Sequence, residues 1–255
     1  MQEIAHPPQL GAAILEAEAL VAGYFEDIHI LKGISVKAWP GHVACILGPN
    51  GTGKSTLLKA VFGFLRPVSG HVRYEGREIT GMAPESMLAN GIAYLPQHPS
   101  IFPFLSVEVN LKLGLWGRRL SRAQIAERIA EACSQFPVLE EKRRQPAGQL
   151  SGGQQRQLEM ARSLLTDPKV YLIDEPTAGV DPKTSAEIYR RIRSLARERG
   201  KAVLLVDQDI RRALEIADYV YVVRTGALLD QGPRDRFGGD TAELVARWLH
   251  ASGEA

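Results

Sequence analysis

Nine consecutive residues, Gly48, Pro49, Asn50, Gly51, Thr52, Gly53, Lys54, Ser55 and Thr56, carry the pattern G-x-x-x-x-G-K-S. That spacing suits a polyphosphate. The glycines let successive backbone N–H groups curl around phosphate oxygens, and a helix starting behind them adds the partial positive charge of its N-terminus. Lys54 is then placed to reach the β- and γ-phosphates, and the Ser55 hydroxyl to ligate Mg²⁺. Asp174-Glu175, two adjacent carboxylates, end an apolar run. Beside bound phosphates, Asp174 would hold Mg²⁺, directly or through water, and Glu175 would face an attacking water. Ser151-Gly152-Gly153-Gln154 opens a helical pattern and makes a second anion-binding helix tip. Capping explains the serine alone, whereas the paired glycines and the glutamine call for close approach by something else. Gln97, at the mouth of an apolar stretch, sits where a loop can bend toward the phosphates. Each stretch by itself has a plainer reading: a glycine turn, an acidic turn, a capped helix.

Those groups need elements to hold them. The apolar run 43–47 reads as a buried strand and 57–64 as the start of a helix, so strand, loop and helix come in the order the motif requires. Residues 170–175 read as a strand ending in carboxylates. Polar groups at the C-terminal end of a strand buried on both faces lie where open α/β sheets bind ligands. Further strands are expected at 14–20, 30–39, 71–74, 91–95, 202–206, 219–224 and 227–230. Helices are expected at 85–90, at 121–136 with Ser121 as N-cap, and at 155–165, 183–199, 210–217 and 241–250. Between 100 and 150 the strand signals give way to helical patterns rich in Arg and Glu, an α-helical insertion in an α/β core. Alternating strands and helices predict a mostly parallel sheet covered on both sides. Tyr24 follows the first strand, where a neighbouring strand could present a ring to a nucleotide base; packing is the plainer use of such a ring.

The chain has 255 residues, enough for one large domain or a core with an inserted subdomain. Hydrophobic residues make up 45% and charged residues 24%, which excludes a disordered or membrane-embedded class. A net charge of +2 supplies no global basic field for nucleic acid. Cys45 and Cys133 are too few for a disulfide framework and fit a reducing cytoplasmic setting. No apolar run reaches the length of a membrane span, and the N-terminus lacks the basic-then-apolar order of a secretion signal. Membrane association is therefore expected through a partner, and residues 1–11 read as a loose tail.

Taken together, the motifs resemble the ATP-binding subunits of ABC transporters over residues 14–250. The most specific element is Leu150-Ser151-Gly152-Gly153-Gln154 with Gln155-Arg156, which matches the family signature and is not shared by other phosphate-loop enzymes. The resemblance implies an α/β phosphate-loop NTPase core with a mostly parallel sheet, an antiparallel β subdomain and an α-helical subdomain at about 98–165. The cassette would span 14–247 between tails at 1–13 and 248–255. The family also implies ATP and Mg²⁺ as cofactors, with Tyr24 stacking on adenine and residues 48–56 wrapping the phosphates. Gln97 becomes the glutamine of the loop that senses Mg²⁺ and the transmembrane partner. Asp174 and Glu175 become the metal and catalytic carboxylates, and Asp181 an aspartate that signals across a dimer. In the family two subunits sandwich two ATP molecules head to tail. Ser151, Gly152, Gly153 and Gln154 of one would then meet the γ-phosphate held by the other. The implied partners are a second, similar or identical ABC ATPase, two transmembrane permease subunits and, through the complex, an extracytoplasmic substrate-binding protein, with no nucleic acid. The implied place is the cytoplasmic face of the inner membrane, as a peripheral subunit.

Gln208 stands where most of the family puts a histidine against the γ-phosphate. An amide can donate a hydrogen bond there but carries no charge. Removing a preorganised donor costs roughly 10²- to 10³-fold in rate, so replacing it by a neutral donor should cost less. Hydrolysis is expected, with Lys54, Glu175 and Gln208 as its catalytic groups. Gln208, together with 76–81, 101–111 and 214–218, is similar to subunits of branched-chain amino acid uptake systems, and importers of urea and amides share the pattern. That group often carries Glu in place of Gln97 and usually Asn in place of Asp209. Two other readings stand beside this one: a soluble ABC ATPase acting on ribosomes or DNA, and a regulatory subunit that binds ATP and hardly cleaves it.

Overall fold

The computed structural model describes residues 10–25 and 27–238, so the terminal helix expected at 241–250 lies outside the described residues. Two strands of alternating burial come first, β1 (Leu15–Ala22) and β2 (Leu31–Ala38), paired antiparallel. β3 (Val43–Leu47), buried at every position, runs through the phosphate loop into α1 (Lys54–Phe62). β4 (Ser69–Tyr74) and β5 (Arg77–Glu78) complete a four-stranded antiparallel sheet in the order β2-β1-β4-β5. After α2 (Pro84–Ala89) and β6 (Ile92–Leu95) the chain turns helical, with α3 (Val107–Leu113), α4 (Arg122–Gln135), α5 (Pro137–Glu141) and α6 (Gly152–Leu164). It then returns to alternation: β7 (Val170–Asp174), α7 (Pro182–Arg197), β8 (Ala202–Asp207), α8 (Ile210–Ile216), β9 (Tyr219–Arg224) and β10 (Ala227–Pro233).

The second sheet has six strands in the order β10-β9-β3-β8-β7-β6, parallel throughout except for the β10–β9 hairpin. Successive side chains of a strand point to opposite faces. Val43, Cys45 and Leu47 of β3 accordingly join a core shared with the helices α3 to α8, while Ala44 and Ile46 join a core shared with α1 and the antiparallel sheet. Burial on both sides is why β3, β7 and β8 read as unbroken apolar runs.

α1 begins three residues earlier than the pattern at 57–64 suggests, because Lys54 and Ser55 belong to both motif and helix. It ends at Gly63, whose φ of 86° reverses the chain. Leu57, Leu58 and Val61 of α1 are wholly buried, each contributing roughly 1.5–3 kcal/mol and pinning the loop to the sheet. α4 starts at a capping box in which Ser121 Oγ accepts from Gln124 N and Gln124 Oε1 accepts from Ser121 N.

Candidate nucleotide-binding site

The C-terminal ends of β3, β6, β7 and β8 open on one cavity of about 410 Å³ lined by Ile30, Asn50, Gly51, Gly53, Lys54, Ser55, Thr56, Gln97, Glu175 and Gln208. Residues from the phosphate loop, the loop after β6, the end of β7 and the end of β8 thus meet in one place. Gly48 lies so close to β9 that a Cβ there would sit 2.2 Å from the Val223 carbonyl oxygen. Only glycine lets the loop turn at that point.

Lys54 is buried, and its Nζ donates to Gly48 O at 2.8 Å and Pro49 O at 3.0 Å. Burial lowers its pKa, and the opposing pull of Glu175, Asp174 and Asp207 works against that shift. The ammonium therefore rests on carbonyls of its own loop, acceptors that arriving phosphate oxygens can replace. Ser55 Oγ donates to Asp174 Oδ1 at 2.9 Å, and the Tyr94 hydroxyl donates to Asp174 Oδ2 at 3.2 Å. Burial raises the pKa of Asp174 and of Glu175, an energetic demand for a cation beside them. Glu175 has a φ of 40°, unusual for a residue with a side chain and of the kind found at functional sites. Its N–H donates to Val206 O at 2.9 Å, and its Oε2 accepts from Gln97 Nε2 at 2.9 Å.

Mg²⁺ takes six oxygens in near-ideal octahedral geometry and keeps several as water or phosphate, so it asks for one or two protein oxygens rather than a cage. The Ser55–Asp174 pair is such a donor set, with the Gln97 amide oxygen as a third. Among the described residues there is no group of three His, Cys, Asp or Glu side chains that could hold a metal.

Ser151 caps α6 by a second capping box: its Oγ accepts from Gln154 N, and Gln154 Oε1 accepts from Ser151 N and from Lys142 Nζ. Gly153 is held by packing, since a Cβ there would lie 2.6 Å from Thr184 Cγ2 at the start of α7. Gly152 is different: it is exposed, and nothing in the chain lies within 4 Å of a Cβ built on it. None of 151–154 lines the phosphate-loop cavity. Asp181, also exposed, caps α7 by accepting from Lys183 N and Thr184 N at 3.1 and 3.0 Å.

Tyr24 does not line that cavity. Its ring lies under Lys59 Nζ of α1, 5.7 Å from the centroid, and its hydroxyl accepts from the same nitrogen at 3.3 Å. Phe25 beside it is the freer ring, 71% exposed against 51%. Its carbonyl accepts from Ile28 N in a tight turn that leads to Ile30 at the cavity wall.

Two further groups escaped the sequence reading. Asp207, which ends β8, is buried beneath Gln208 and accepts both the Gln208 and the Asp209 N–H. Arg156 and Glu159 of α6 form a buried ion pair, with Arg156 donating to the carbonyls of Pro96, at 2.6 Å, and of Gln97. Glu159 in turn accepts from Ser100 N at 2.8 Å, so one turn of α6 holds both ends of the loop that carries Gln97. The signal for this pair was i, i+3 spacing behind Ser-Gly-Gly-Gln; for Asp207 there was none, since its partner Tyr189 is on another element.

A glycine loop at a helix N-terminus, a buried lysine and a carboxylate pair at the end of β7 define a phosphate-loop ATPase. Residues 31–178, more than half of the chain, match the family described as ABC transporter, and the chain belongs to that family. It is 38% identical over 232 residues, 91% of this chain and 94% of the relative, to "Probable branched-chain amino acid transport ATP-binding protein LivF" of Archaeoglobus fulgidus. Identity is 36% over 209 residues, 82% of this chain and 88% of the relative, to the high-affinity branched-chain amino acid transport ATP-binding protein BraG of Pseudomonas aeruginosa. It is also 36%, over 219 residues and 86% and 90% of the two chains, to the lipopolysaccharide export system ATP-binding protein LptB of Acidithiobacillus ferridurans. The fold is similar to that of cbiO1 from Clostridium perfringens, part of the ABC transporter complex cbiONQ, with a TM-score of 0.82 and 30% identity over 94% of this chain and 96% of that one. It is similar as well to a dimeric ATP-binding cassette in a post-hydrolysis state bound to ADP and Pi, with a TM-score of 0.76 and 26% identity over 86% and 98%. The chain is an ATP-binding and ATP-hydrolysing cassette, and none of its described helices is long and apolar enough to cross a membrane.

Proposed function

We propose that this chain is the ATP-hydrolysing motor of an importer for branched-chain or related amino acids, urea or amides, acting through two permease subunits and fed by an extracytoplasmic binding protein. The single observation that carries the motor reading is the separation of its two anion sites. The phosphate loop opens on the cavity that holds Glu175 and Gln208, while the tip of α6, with Ser151 and Gly152 exposed, stands outside it. A second, similar or identical cassette supplies the missing γ-phosphate contact, so ATP joins two halves and its cleavage releases them. Bound Mg²⁺ would neutralise charge developing on the β- and γ-phosphates. Ser55 and Asp174 would hold it, Lys54 the phosphates, and Glu175 the water.

Membrane partners need a place to dock. A groove of about 950 Å³ between α2, α3 and α6 is lined by Leu88, Phe102 and Trp116, with Trp116 84% exposed. An exposed apolar groove beside the Gln97 loop fits an amphipathic cytoplasmic segment of a permease, which would place the chain on the cytoplasmic face of the inner membrane. The similarity to LivF and BraG supports amino acids as cargo, and the similarity to LptB keeps lipid export as a second reading.

The test is to purify the tagged chain from membranes of its own host, identify the proteins retained, and reconstitute the complex in liposomes. ATP-driven accumulation of leucine or valine in the presence of the binding protein is the expected result. Retention of lipopolysaccharide-export partners, or of ribosomes without any membrane protein, would replace the importer reading.

A further inference from the structure

We propose that Asp207, steadied by Tyr189, is the positioning residue that sets Gln208 in the hydrolytic site, an inference that rests on Gln208 donating its amide to the γ-phosphate. Asp207 is 2% exposed, and both of its carboxylate oxygens are engaged. Oδ1 accepts the N–H of Gln208 at 2.8 Å and of Asp209 at 2.9 Å, and Oδ2 accepts the Tyr189 hydroxyl at 2.6 Å. The one hydroxyl proton of Tyr189 goes to Asp207, so in the 3.3 Å contact with Thr177 Oγ1 the threonine is the donor.

Thr177 lies two residues beyond Glu175, in the turn closed by Ala178 N on Glu175 O. Glu175 N donates to Val206 O, the carbonyl just before Asp207. The backbone bearing Glu175 and the backbone bearing Gln208 are thus tied twice, once directly between β7 and β8 and once through Tyr189 of α7. Burial raises the pKa of Asp207, and the Tyr189 hydroxyl and the two N–H groups work against that shift. A neutral amide on an exposed side chain has no charge to draw it to phosphate. Its donor acts in the transition state only as far as the peptide beneath it is fixed in advance.

The competing role is plain closure of the first turn of α8, and kinetics on the full-length chain separates the two. ATP hydrolysis and binding of a fluorescent ATP analogue are measured for Tyr189→Phe, Asp207→Asn, Gln208→Ala and the Tyr189→Phe/Gln208→Ala pair. Tyr189→Phe is expected to lower kcat about 3- to 10-fold with KM and analogue affinity within about twofold. The double variant is expected to be no slower than Gln208→Ala alone, because both changes act on one donor. Should Tyr189→Phe cost the same factor with and without Gln208, or leave kcat untouched, the positioning role is overturned. A joint fall of kcat, affinity and Tm would overturn it too, in favour of packing. If Asp207→Asn does not fold, Tyr189→Phe, which keeps the ring, still decides the matter. Full activity in Gln208→Ala would instead remove the γ-phosphate role of Gln208, and the positioning role with it.

Discussion

The Gln97 amide nitrogen and the Glu175 carboxylate are joined by a hydrogen bond of 2.9 Å, so the group assigned to polarise water is held by the loop that follows β6. Glu175→Gln keeps an acceptor for Gln97 and loses the base. Its kcat should fall at least about 10²-fold while ATP affinity is retained, and ATP should accumulate a dimer visible by light scattering. Phosphate release at the wild-type rate would end the assignment of Glu175.

Lys54, which now donates to two loop carbonyls, would exchange them for phosphate oxygens in the proposed site, and charge-assisted hydrogen bonds of this kind contribute roughly 1.5–3 kcal/mol. Lys54→Ala should therefore weaken ATP binding about 10- to 150-fold by titration calorimetry. Ser55→Ala should raise the Mg²⁺ concentration needed for hydrolysis, with nucleotide affinity in EDTA little changed. Equal affinity in Lys54→Ala and wild type would undo the phosphate-loop reading.

The adenine platform is a choice between neighbours. Tyr24 is committed to Lys59, and Phe25 has the more open face. Base stacking on a ring is worth roughly 1–3 kcal/mol, so losing it weakens adenine nucleotides while leaving inorganic triphosphate alone. Phe25→Ala and Tyr24→Ala, each titrated with ATP and with triphosphate, should differ, Phe25→Ala showing the nucleotide-selective loss. A selective loss in Tyr24→Ala only would assign the platform to Tyr24, as the family resemblance implies.

Gly152 and Gly153 are adjacent, and the structure predicts opposite outcomes for them. A methyl at Gly153 meets Thr184 and should lower stability by roughly 1–3 kcal/mol in denaturant unfolding. A Cβ at Gly152 meets nothing within 4 Å, and the residue is exposed. Gly152→Val should leave ATP binding by the single subunit intact and abolish the ATP-dependent dimer. Dimerisation of that variant at wild-type nucleotide concentrations would show that no partner's triphosphate approaches Gly152.

Much of the site was legible because its groups lie beside the motifs that name them. β3 and β7 are buried on both faces and so announce themselves as apolar runs, and the loop and carboxylates sit at their ends. Ser121 and Ser151 were recognisable as caps because a capping box is a local matter of four residues. Tyr24 was assigned to adenine through the family resemblance, since its position after β1 suits packing equally well, and no pattern in the sequence shows that Lys59 lies over its ring. Asp207 and Tyr189 meet only through the packing of α7 on β8, 18 residues apart along the chain, and no pattern of spacing encodes that contact. Two contacts of surface arginines were equally silent in the sequence: Arg118 donates to Thr166 O, and Arg212 pairs with Asp209.

Arg156 and Glu159 are confined to a common history. Deleting one member of a buried ion pair leaves an uncompensated charge in the interior and costs about 3–5 kcal/mol, whereas exchanging both for apolar side chains of like volume can be neutral. Here that exchange would also release the carbonyls of Pro96 and Gln97 and the Ser100 N–H from these two side chains. Single substitutions at either position should therefore destabilise the chain, whereas the double apolar one should fold with the Gln97 end of the loop loosened and the Ser100 end still moored to α6 by Arg162.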